Sequence, residues 1–134
     1  MRKKMAEKDL TTLIKNMKPS LNSKSFIFST HSYQAEIPIP QEARIMEFRE
    51  PEGITLIVSR EDADRYGIAY DIEMSWIILT IHSALDAVGF TASFSSALAS
   101  EDISCNVIAG YHHDHIFVPI ESTDKAMHVL HTMV

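Results

Sequence analysis

This 134-residue chain has a single cysteine, Cys105, and only four glycines. One cysteine cannot form an internal disulfide, which fits a reducing cytoplasm as the expected location. The glycines are too few and too scattered for a Walker loop or a dinucleotide fingerprint. No Gly-x-Ser-x-Gly elbow surrounds Ser93, Ser95, Ser96 or Ser100, so a strand-to-helix serine nucleophile is not expected. No apolar run approaches the roughly 20 residues of a membrane span. Basic charge is also short: 12 Lys and Arg against 18 Asp and Glu leave a net charge of −6 with His neutral. Phosphate neutralisation needs Lys and Arg, so nucleic acid is not an expected partner. Met1-Arg2-Lys3-Lys4 is basic, but no apolar h-region follows it, which argues against a secretory signal.

What is present is the composition of an ordinary globular domain, 46% apolar, in a chain long enough to bury a core without metal or disulfide. Leu10, Leu13, Ile14 and Met17 fall at helical spacing, with Asp9 as a cap and Lys18-Pro19 as the stop. Phe26-Ile27-Phe28 reads as a strand. Pro38 and Pro40 exclude a central strand after it, because proline donates no ladder hydrogen bond. Residues 44–49 alternate as a strand, Glu50-Pro51-Glu52-Gly53 reads as a hairpin turn, and Ile54–Val58 as the returning strand. Ser59 opens a short helix that Gly67 stops.

The second part of the chain repeats this order. Ser75–His82 parallels Ser25–His31, including the closing histidine, and His115–Ala126 parallels Gly53–Ala63. The last helix carries Ala126, Val129, Leu130 and Met133 at i, i+3, i+4 and i+7. Two passes through strand, crossover, strand, hairpin, strand and helix predict a duplicated α+β unit. In the first pass the Pro38/Pro40 loop replaces the crossover helix. In the second, Phe90, Phe94, Ala97 and Leu98 form the apolar face of that helix. Ala92, Ser96 and Ala99 form its small-residue face, either a surface for helix-mediated dimerisation or simply exposed positions.

The stretch Thr80–Glu121 holds the functional signals. The run Leu85-Asp86-Ala87-Val88-Gly89-Phe90-Thr91-Ala92, with Ile103-Ser104-Cys105-Asn106-Val107, resembles the first strand, loop, helix and second strand of an ACT domain. The run from Ile103 through His112-His113-Asp114-His115-Ile116-Phe117-Val118-Pro119 is similar to a signature of small bacterial proteins built from two tandem ACT-like halves. Phe48-Arg49-Glu50-Pro51-Glu52-Gly53-Ile54-Thr55-Leu56 is similar to the matching signature in the first half. The resemblance spans most of the chain from about Leu10. It implies an α+β fold of tandem ferredoxin-like βαββαβ-type units, with antiparallel sheets and helices on one face. The halves are expected at 1–70, with the N-terminal helix and the degenerate crossover, and at 71–134. Two departures stand out: Val88 occupies the position where such loops often carry proline, and the Gln34–Gln41 region is long for the group.

The resemblance also implies a non-enzymatic, amino-acid-responsive regulatory module, as a homodimer or docked on an enzyme. The other class is a pure interaction module whose ACT-like surface dimerises or docks an enzyme without binding a small molecule. An amino acid needs donors for its carboxylate and acceptors for its ammonium. The backbone N–H groups of Gly89, Phe90 and Thr91 at a helix N-terminus would supply the first, with Val88 in the same loop. Asp86 or an exposed carbonyl would meet the ammonium; alternatively Asp86 only caps the helix and Gly89 only makes the turn. A helix end is worth about 0.3–1 kcal/mol when exposed and up to ~2 when partly buried. Micromolar affinity requires about 8 kcal/mol, so a second wall is needed, from Asn106, the first half or a dimer partner.

His112, His113, Asp114 and His115 raise the question of metal. Strand alternation places His113 and His115 on one face and His112 and Asp114 on the other. One face then offers two ligands where zinc usually takes three or four from protein; a tight turn, His31 or His82 would have to supply the rest, and nothing in the sequence fixes that. The cluster reads as a polar hairpin tip, and no metal or cofactor is assigned. Cys105, in an apolar strand pattern, reads as a small core residue.

Overall fold

The computed structural model describes residues 6–133; Met1-Arg2-Lys3-Lys4, and with it the basic start, lies outside them. In chain order the elements are α1 (Leu10–Asn16), β1 (Pro19–His31), a 3-10 turn (Gln41–Ala43), β2 (Met46–Glu50) and β3 (Gly53–Ser59). There follow α2 (Arg60–Arg65), β4 (Met74–Leu79), α3 (Phe90–Ser100), β5 (Asn106–Ala109), β6 (Asp114–Pro119), a second 3-10 turn (Ile120–Ser122) and α4 (Thr123–Thr132).

The chain divides into two compact units: Ser23–Met74, and residues 1–22 with 75–134. In the first, β3 pairs antiparallel with β2 (Phe48 opposite Thr55) and with β1 (Phe28 opposite Ile57). Alternation sends Ile27, Ile54, Leu56 and Val58 into a core that Ile39 and Ala63 of α2 complete. Ser59 starts α2 by accepting the Asp62 N–H at 3.1 Å, and Gly67 ends it at φ +67°. Gly53 is required by close approach: a Cβ there would lie 2.5 Å from the His31 carbonyl oxygen. As expected, no crossover helix follows β1; residues 32–45 hold only the 3-10 turn, and Arg44 fastens them by donating twice to the Ile39 carbonyl, at 2.8 and 3.0 Å.

The second unit runs β4-α3-β5-β6-α4, with strand order β1 (its first four residues), β4, β6, β5. β6 lies between β4 and β5, so α3 is a crossover connection, as in a ferredoxin-like unit, and β5 and β6 form an antiparallel hairpin (Ala109 opposite Asp114). Ile77, Leu79, Ile116 and Val118 point to the helix side and meet Phe90, Phe94 and Leu98 of α3 and Ala126, Val129 and Leu130 of α4. Ala92, Ser96 and Ala99 are exposed.

Two elements differ from the sequence expectation. The first strand runs from Pro19 to His31 rather than only around Phe26–Phe28, because it takes part in both units. α1, expected with the first half, packs with the second: Leu13 and Met17, fully buried, join the α3–α4 core. Helical periodicity marks an apolar face without marking which core it enters.

Candidate functional site

The loop between β4 and α3 is held by the chain segment just before α1. The Glu7 N–H donates to the His82 carbonyl at 3.2 Å, and the Ala84 N–H donates to the Glu7 carbonyl at 2.8 Å. Lys8 Nζ reaches Asp86 Oδ2 at 2.8 Å. That charge-assisted bond holds the Asp86 carboxyl below the usual range. Further along, Gly89 adopts φ +90° and turns the chain into α3; a Cβ there would lie 3.3 Å from Leu10 Cδ2. No side chain caps α3. Among the described residues the Phe90 and Thr91 N–H groups find no acceptor, so they remain the unpaired donors of a helix N-terminus.

This helix end opens on a small cleft of about 60 Å³ in the second unit. The loop (Ser83, Ala84, Leu85, Ala87), the first residues of α3 (Phe90, Thr91) and the β5–β6 turn (Ala109, Gly110, Asp114) line it. Asp114 is 6% exposed and takes one bond on Oδ2, from Ser83 Oγ at 3.1 Å. No donor reaches Oδ1 among the described residues, yet no fully buried side-chain oxygen or nitrogen there lacks a partner, so Oδ1 is open to the cleft. A carboxylate this buried is costly unless a cation or donors compensate it. Ser83 supplies one donor.

The expected site residues are thereby separated. Phe90 and Thr91 line the cleft; Gly89 is not part of its lining and turns the chain into α3 beside it. Val88, 84% exposed, does not line it, and Asp86 is exposed and occupied by Lys8. Asn106 lies at the far end of β5, opposite Phe117, and does not line the cleft; Ala109 and Gly110 of the same hairpin do. The acid in the lining that the sequence reading had not joined to the loop is Asp114. The signal was available: the alternation that removes Asp114 from the face of His113 and His115 turns it to the face on which α3 packs.

The histidines spread in different directions. Trp76 Nε1 donates to His115 Nδ1 at 3.0 Å, on the face away from the helices; burial, with His113 nearby, lowers the His115 pKa against the opposing pull of Asp114. His112 packs beside His82 (ring centres 5.1 Å apart) and Tyr111, and His113 Nδ1 lies 3.4 Å from the Ile81 carbonyl. Among the described residues no three His, Cys, Asp or Glu side chains converge as a metal site would require. Cys105 is half-buried, and burial pushes its thiol up to about 11.

The two units define an α+β protein of the ferredoxin-like class, with a loop-to-helix cleft in one of them. Residues 5–75 match one ACT-domain profile and residues 71–132 a second; the chain belongs to the ACT-domain family, with two domains in tandem. A solved Vibrio cholerae protein of unknown function, described as a possible transport protein, is 40% identical over 90% of this chain and 92% of its own, with a TM-score of 0.79. An Agrobacterium tumefaciens protein shares 18% identity over 87% of this chain and 88% of its own (TM-score 0.73). The ligand-free regulatory subunit of Thermus thermophilus aspartate kinase shares 11% over 89% and 97% (TM-score 0.65). At those identities the last two establish likeness of fold. No curated protein matches the sequence. No helix among the described residues is long and apolar enough to cross a membrane.

Proposed function

We propose that this protein is a non-enzymatic regulatory module that binds a small molecule of the amino-acid type. The observation that carries this reading is the meeting, in one cleft, of the uncapped N-terminus of α3 with the open oxygen of buried Asp114. Backbone N–H groups at a helix N-terminus receive a carboxylate; a buried carboxylate receives an ammonium. In this reading Phe90 and Thr91 of the expected loop site hold the carboxylate, Asp114 takes the role first given to Asp86, and the β5–β6 turn is the second wall.

Membership of the ACT family supports a regulatory role, as does the likeness to a regulatory subunit of aspartate kinase. An enzyme partner and a homodimer belong to the same proposal. Leu85, 65% exposed, and Val88 give the loop an apolar tip beside the cleft, where a second subunit would shield the ligand from water.

A thermal-shift screen of the twenty amino acids tests the reading. Any ligand that binds only the folded state raises Tm by mass action, and at a hundred times Kd the gain is about 2.7 kcal/mol. A rise of several degrees with at least one amino acid is expected. No shift with any of them at millimolar concentration would leave the interaction module without a ligand as the better description.

A further inference from the structure

We infer that the cleft selects a small monoamino monocarboxylic acid with a short, uncharged side chain, of the glycine, alanine and serine class. The inference rests on the amino-acid reading above and narrows it, by the charge and the size of the lining.

The charge inventory is short. Asp114 is the sole ionisable side chain among the residues lining the cleft, and the α3 N-terminus is the sole positive pole; apart from Ser83, Thr91 and Asp114 every lining residue is apolar or glycine. A ligand α-ammonium on Asp114 Oδ1 and an α-carboxylate on the Phe90 and Thr91 N–H groups use both poles. A second carboxylate, as in aspartate, would find no cation in the lining: the neighbouring Lys8 is engaged with Asp86. It would also face Asp114. A second ammonium, as in lysine, would find no second acid in the lining. Because ions leave water at high cost, an unmatched charge at such a site is rejected more strongly than an unmatched methyl.

Size acts in the same direction. The cleft holds about 60 Å³, whereas an apolar cavity of about 150 Å³ takes a benzene molecule. Ser83 Oγ and Thr91 offer polar atoms that a seryl hydroxyl could meet.

Isothermal titration and NMR titration of the full chain, with glycine, L-alanine and L-serine against L-aspartate, L-lysine, L-leucine and L-phenylalanine, test this. Acetate and ethylamine serve as one-pole controls. The small neutral amino acids should bind at least about tenfold more tightly than the other four and than either control, since one unmatched polar or ionic group is worth a factor of this order. Asp114→Asn should weaken their binding about 10- to 100-fold, the range of a charge-assisted hydrogen bond. Ala109→Leu, at an exposed position on the cleft rim, should abolish it, and covers the case in which Asp114→Asn fails to fold. Aspartate, lysine, leucine or phenylalanine binding as tightly as glycine, with loss in Ala109→Leu, would overturn the selectivity and keep the amino-acid site. Binding indifferent to both substitutions, or no binding by any amino acid, would overturn the site itself and the inference with it.

Discussion

Lys8 and Asp86, 78 positions apart in sequence, form an ion pair with Lys8 Nζ 2.8 Å from Asp86 Oδ2, and this contact occupies the acid that the loop itself carries. Both side chains are largely exposed, so the pair is a solvated clasp rather than a buried charge. Asp114, nearly buried and bonded only by Ser83 on one oxygen, is in the opposite condition.

Asp86→Asn should therefore leave amino-acid affinity within about twofold of the parent, as is usual for an exposed ion pair. Titration calorimetry of that variant beside Asp114→Asn checks the assignment. A loss in Asp86→Asn equal to that in Asp114→Asn would return the ammonium-binding role to the loop aspartate.

Gly89 at φ +90° tolerates no Cβ without backbone strain, and Leu10 is 3.3 Å from where that Cβ would sit. Gly89→Ala should lower stability by about 1–2 kcal/mol in urea unfolding. Leu10→Ala in the same background separates the two causes. If the loss is a contact with Leu10, the double variant shows strong coupling; if it is backbone strain, the two effects add.

The Trp76–His115 bond requires an unprotonated Nδ1, and burial lowers the His115 pKa below 6.5. His31 is shifted the same way, by burial and by the charge of Arg44. In both cases the unfolded chain binds the proton more readily. Their contribution to stability is fully present above pH 6.5 and is lost as pH falls through the folded-state value. Urea melts followed by the fluorescence of the single tryptophan should show falling midpoints from pH 7.5 to pH ~5. His115→Gln should flatten that fall; an unchanged slope would assign it to other groups.

Cys105, with its thiol pushed up to about 11, has roughly one part in a thousand as thiolate at pH 8. Its reaction with a disulfide reagent should be on the order of a hundredfold slower than that of a free thiol, and denaturant should restore the rate. A fast native reaction would contradict its burial in the β5 region.

Much of the architecture was legible along the chain because its cues are local. Asp9 accepts the Thr12 N–H as a cap, Ser59 does the same for Asp62, and Gly67 and Gly89 take positive φ where helices stop or start. Alternation placed Ile77, Leu79, Ile116 and Val118 on one face, and the 3.6-residue period gathered Phe90, Phe94 and Leu98. The prolines at 38 and 40 foretold the missing crossover helix. These features depend on neighbours within a few residues, so the sequence by itself determined them and the duplicated α+β order; the ACT family came from the resemblance of the Leu85–Ala92 and Ile103–Pro119 runs.

The site depended on distances between residues far apart in sequence. No local rule pairs Lys8 with Asp86, sets Leu10 against Gly89, or brings Ser83 to Asp114 across 31 positions. Asn106 and Asp114 both belong to the β5–β6 hairpin but lie on opposite faces, Asn106 paired with Phe117 and Asp114 with Ala109, and the packing of α3 on the face of Asp114 puts that residue in the cleft. Burial and charge compensation are properties of the assembled fold. They made Asp114 rather than Asp86 the open acid, and only the tertiary structure could decide that.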